Sequence, residues 1–169
     1  MVDDVSSMFS PRSWLEFVLP YQNAFFERTT TGRRSAHIED LKPDHLLFLE
    51  DLQLSRIDPS ISGHISPPDI RDRCRVAFGW RLGSFHYHTM SCQNVVHCVF
   101  QAAADGASSV FTYVADSMCN PETVPKVHAF ITAAKEVEQM FKSGSDRADI
   151  AACVSPEGRV KFWDHWPDK

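Results

Sequence analysis

Apolar residues fall at every second position from Cys74 to Leu82, with Arg75, Ala77, Gly79 and Arg81 between them. That is the period of a half-buried strand. Gly83-Ser84 suits a two-residue type II′ turn, and Phe85-His86-Tyr87-His88-Thr89 then alternates again. A hairpin closed by this turn pairs Leu82 with Phe85, Arg81 with His86 and Trp80 with Tyr87. Its apolar face carries Phe78, Trp80, Leu82, Phe85 and Tyr87, and its polar face carries Arg75, Arg81, His86 and His88. The two halves agree on which side is apolar, which is evidence beyond either strand alone.

The segment 92–104 reads in two ways. As a third strand it sets Val96, Cys98 and Phe100 on the apolar face and pairs His97 with His86. As a helix it is capped by Ser91, buries Val95, Val96, Val99, Phe100 and Ala103, and ends at Gly106. Val95-Val96 and the aromatic favour the strand, which is the reading adopted here. The stretch Ser109–Ala115 is also rich in strand formers. Ser10 and Pro11 start a helix whose apolar face is Trp14, Phe17, Val18, Tyr21 and Phe25, interrupted by Pro20. Residues 29–42 and 58–69 read as loops, and Leu46–Leu54 suits either a helix start or a strand. The best helix runs from about Thr123 to Lys142, with Val127, Phe130, Ile131, Ala134, Val137 and Phe141 as its stripe. Ile150–Val154 and Arg159–Trp163 flank Ser155-Pro156-Glu157-Gly158 as a C-terminal hairpin. That stretch has the look of a propeller hairpin, but a propeller needs about four blades with a period near 40 residues, and the chain has no such repeat.

These elements predict one α+β domain over residues 1–169. An antiparallel β-meander is covered on one face by the helices near 11–28 and 123–142, with a C-terminal β-hairpin added. Residues 1–9 carry no ordering signal and read as a disordered N-terminal segment.

Composition narrows the partners. The net charge of −5 gives no overall basic field, so nucleic acid is a poor candidate partner. No apolar run reaches the roughly 18 residues of a membrane span, and Met1-Val2-Asp3-Asp4 does not open a secretory signal. The five cysteines form no C-x-x-C pair and are odd in number, which suits reduced thiols in a cytoplasmic or nuclear protein.

The candidate binding residues are Arg81, His86, His88 and His97. On three antiparallel strands they share one sheet face, where imidazoles beside a guanidinium stay neutral and can hydrogen-bond an anionic or carbonyl-bearing ligand. His86-x-His88 with His97 or Cys98 is a weak metal pattern because no acid follows at short spacing, so no metal or other cofactor is expected. His37-Ile38-Glu39 has the H-x-E of zinc deaminases, but no P-C-x-x-C follows it. If 92–104 is a helix, Cys92 lies in its electropositive first turn and becomes a candidate nucleophile. No phosphate-binding glycine loop and no G-x-S-x-G is present.

The shortage of catalytic signatures points to a non-catalytic binding or protein-interaction module, of the kind that forms a homo-oligomer or a subunit of a larger assembly. The alternative is a small enzyme: a pocket enzyme using the His86/His88 face for acid–base chemistry, or a cysteine hydrolase using Cys92.

Overall fold

The computed structural model describes residues 1–154 and Trp163. Five strands form one all-parallel sheet in the order β1-β2-β3-β4-β5: β1 is Val2–Asp3, β2 Arg34–Ile38, β3 Leu54–Asp58, β4 Ala77–Leu82 and β5 Ser109–Thr112. The helices are α1 Pro11–Ser13, α2 Leu19–Thr29, α3 Pro67–Arg73, α4 His86–Thr89, α5 Cys92–Ala104, α6 Val124–Lys142 and α7 Arg147–Ala152. The antiparallel meander is therefore overturned, and the architecture is α/β. Among the described residues no helix is long and apolar enough to cross a membrane. The chain divides into two compact units, Met1–Gly79 and Trp80–Lys169.

In the first unit, Ser10 caps α1 by accepting the Ser13 N–H at 3.2 Å, and Pro11 takes the first helical position. A π-turn, Trp14–Val18, links α1 to α2, and the Leu19 N–H reaches back five residues to the Trp14 carbonyl. The expected apolar face is replaced by another. Trp14, Val18, Gln22 and Phe26 are buried, whereas Phe17, Tyr21 and Phe25 are exposed. The widened turn is the cause, because it adds one residue and moves every later inward position by one. Trp14 stacks on His45 with centroids 5.0 Å apart. Burial lowers the pKa of His45, whose Nε2 meets the Phe9 carbonyl at 3.0 Å while Nδ1 accepts the Lys42 N–H.

Two expected loops hold regular structure. Residues 34–38 are β2, with Ala36 and Ile38 buried. Residues 67–73 are α3, where Asp69 accepts from the Ser66 N–H at 2.8 Å and from its hydroxyl. The N-terminal segment, without an ordering signal of its own, is ordered by pairing: Val2 stands opposite His37 and Asp3 opposite Ile38.

The alternation that marked 74–82 is realised in β4, where Phe78, Trp80 and Leu82 are buried. The chain then coils instead of turning back. The His86 N–H donates to Gly83 O, the His88 N–H to Phe85 O and the Met90 N–H to His86 O. His86, Tyr87 and Met90 go inward at helical spacing. The expected β-hairpin at Gly83-Ser84 is thus a helical turn, α4. The adopted strand at 92–104 is likewise a helix, α5, capped by the Ser91 hydroxyl on the Asn94 N–H at 3.1 Å. It buries Val95, Cys98, Val99, Ala102 and Ala103 and packs on α6 and α7.

β5 realises the strand expected from Ser109, and the Thr112 hydroxyl donates to the Leu82 carbonyl at 2.8 Å. α6 has nearly its predicted span, although Ile131 and Phe141 of its stripe are exposed. The first half of the expected C-terminal hairpin is α7, started by Asp146, which accepts the Ala148 and Asp149 N–H groups. The second half, 159–162, and Trp166 lie outside the described residues. Trp163 stands edge-on to Trp80 and donates its indole N–H to Asp105 at 2.7 Å.

Candidate functional site

The carboxyl ends of parallel strands are where α/β folds place their chemistry. In this chain the ends of β1, β2 and β3 bring together Asp4, His37, Glu39, Asp58 and Ser60, all within the first unit. Strand periodicity explains the grouping. Ala36 and Ile38 point into the core, so His37 and Glu39 share the opposite side. Parallel register sets His37 beside Asp58 of β3. On the other flank the Glu39 N–H donates to the Asp3 carbonyl at 3.2 Å, which brings Asp4 alongside. Asp3 is itself held, accepting the Val5 and Ser6 N–H groups and the Gln22 side-chain amide.

The imidazole of His37 lies between two acids. Its Nδ1 is 2.7 Å from Asp58 Oδ2, and its Nε2 is 3.3 Å from Glu39 Oε1. A carboxylate only accepts, so the closer contact places an N–H on Nδ1 toward Asp58 and turns Nε2 toward Glu39. Both acids are braced. The Ser60 N–H donates to Asp58 Oδ1 at 2.8 Å, and the Ser60 hydroxyl donates to Glu39 Oε1 at 3.0 Å. Ser60 does this with φ at +55°, a left-handed conformation uncommon for a serine. The His37 side chain keeps 18% of its surface exposed, so the centre is reachable. Ligand atoms of Asp4, His37 and Glu39 all lie within 4.8 Å of one another. Beside them His64 faces Asp40 at 3.6 Å, both exposed.

The four residues singled out by sequence do not share a sheet face, because the second and third strands of that face are helices. Arg81, on β4, lays its guanidinium over the Phe111 ring at 5.3 Å. His86 is fully buried on α4, and its Nδ1 accepts the Gly83 N–H at 3.1 Å. Burial pushes its pKa down to about 4, so it is neutral at physiological pH. His88 is exposed on the same helix, and His97 is half-buried on α5. Cys92 is the first residue of α5 and is exposed.

The second unit also holds an apolar cleft of about 640 Å³ between α5, α6 and β5, floored by Val99, Ala103, Phe130, Ala134 and Val137, with Lys135 at its edge.

Sequence reasoning passed over the His37 cluster because it judged H-x-E only against a deaminase signature. The usable signal was spacing: two residues apart on a strand, His and Glu must emerge on one side. Asp58 had no signal of its own, since only the β2–β3 register reveals it. No protein-family model matches the chain, and no curated protein does.

Proposed function

We propose that the protein is a hydrolytic enzyme acting on a small polar substrate at the carboxyl ends of β1–β3. The observation that carries this reading is the Asp58–His37–Glu39 arrangement, in which Asp58 orients the imidazole and Nε2 meets Glu39 and Asp4 at a reachable point. Water held at that point is polarised for attack, and Asp58 and Ser60 are positioning residues. The enzyme class considered from sequence thus moves from His86 and His88 to His37. None of the five thiols is in a disulfide, which supports an intracellular, reducing compartment. The test is a panel of chromogenic carboxylic esters, phosphate esters and glycosides assayed with wild type, His37→Gln and Asp58→Asn. We expect turnover to fall by about 10²-fold or more in His37→Gln. Equal turnover in wild type and His37→Gln ends the proposal.

A second reading, a binding or interaction module that assembles with itself or another protein, is favoured by the cleft between α5 and α6 and by exposed Ile131 and Phe141 at its side. Sedimentation of wild type and Phe141→Lys tests it, and an identical association state in the two removes it.

A further inference from the structure

We propose that the point shared by His37 Nε2, Glu39 and Asp4 binds a divalent cation of the zinc class. The inference rests on the location of the reaction centre proposed above and names the group that would hold its water.

Four observations lead to it. First, the donors converge. His37 Nε2 stands 3.3 Å from Glu39 Oε1, and a second carboxylate, Asp4, offers its oxygen within 4.8 Å of both. A cation among the three would be attracted by each of them. Second, the spacing suits coordination. Two donors each about 2.0–2.1 Å from a tetrahedral metal stand about 3.3–3.4 Å apart, and Nε2 and Oε1 are 3.3 Å apart. Third, the outer layer is already built. A ligating histidine usually gives its other N–H to a carboxylate, and ligating carboxylates are themselves hydrogen-bonded. Asp58 does the first for His37, and the Ser60 hydroxyl does the second for Glu39. Fourth, the donor set is one imidazole nitrogen and two carboxylates. That mixture suits zinc and its neighbours better than magnesium or calcium, which favour oxygen alone. Three protein ligands leave a coordination position for water, as in catalytic and not structural zinc centres.

The test is direct binding to the full chain after chelator treatment, using Zn²⁺ by calorimetry and Co²⁺ by absorption. We expect one ion per chain. The cobalt form should show visible ligand-field bands without a thiolate-to-metal charge-transfer band. Asp4→Asn and Glu39→Gln should each weaken binding at least about 10-fold. Asp4 is exposed, so its replacement leaves the fold intact. Asp58→Asn should weaken binding about 10–100-fold while keeping the stoichiometry, as expected for an outer-layer partner. Replacing the exposed Cys92, Cys119 and Cys153 together with serine should leave binding unchanged. No binding by wild type, binding indifferent to Asp4→Asn and Glu39→Gln, or a thiolate band lost with the three cysteines would each overturn the proposal. Cation binding without hydrolysis keeps this site and ends the enzyme reading. His37-dependent hydrolysis by metal-free protein ends this site and keeps the enzyme.

Discussion

Acidification should destabilise the protein through His86 more than through any other histidine that the structure identifies as perturbed. His86 is fully buried, and its Nδ1 accepts the Gly83 N–H at 3.1 Å, a bond that requires the neutral ring. Burial takes its pKa from 6.5 to about 4. Between those values the unfolded chain binds a proton that the folded chain does not. Stability is therefore complete above pH 6.5 and declines as pH falls towards about 4. At about 1.4 kcal/mol per pH unit, the loss attributable to this ring is about 3 kcal/mol. The matched variant is His86→Asn. Its amide oxygen stands near the place of Nδ1 and can still accept from Gly83, but it does not titrate. Urea unfolding of both proteins at a series of pH values separates His86 from His45 and from the carboxylates, which act in both. The wild-type stability should drop towards that of the variant as pH falls, closing a gap of about 3 kcal/mol. Parallel pH profiles would refute the reasoning.

Three further outcomes follow from burial. Trp80→Ala should cost about 3–5 kcal/mol in chemical denaturation, since the side chain is fully buried on β4. Phe26→Ala should also cost about 3–5 kcal/mol, whereas Tyr21→Ser should stay within about 0.5 kcal/mol, and the reverse ranking would invalidate the inward face described for α2. Iodoacetamide should label Cys92, Cys119 and Cys153 in the native protein but reach Cys74 and Cys98 only in denaturant, as mass spectrometry of each peptide would show; burial also pushes the Cys74 thiol up, away from its reactive thiolate.

What the sequence made legible was local. The Ser10-Pro11 start, the 74–82 alternation and the long amphipathic α6 each carry their own signal within a few turns of chain. The direction of the strands did not. Parallel pairing joins residues as far apart as His37 and Asp58, and no alternation within β2 or β3 encodes a partner. At Phe85–Thr89 the sequence supports both periods, and polarity alone points His86 outward. Its burial is possible because the Gly83 N–H meets one ring nitrogen. For 92–104, β-branched Val95-Val96 outweighed Ala102-Ala103-Ala104 in the sequence reading, while the Ser91 cap and packing on α6 and α7 decide for helix. The candidate site is legible only after the sheet is known, because its members come from three strands.

The π-turn at Trp14–Val18 has a consequence for changes in chain length. It holds one residue more than a regular helix needs, so it reads as an absorbed insertion. Deleting exposed Glu16 should let the turn close while Gln22 and Phe26 keep their inward heading. Pro20 stands in the way, because its ring collides with the carbonyl four positions earlier once the helix is regular. The deletion alone should therefore be poorly tolerated, and the same deletion with Pro20→Ala should be accepted. In inheritance the dependence runs one way: the extra residue makes the proline permissible, so a lineage could shed the proline alone but could shed the residue only after it or with it.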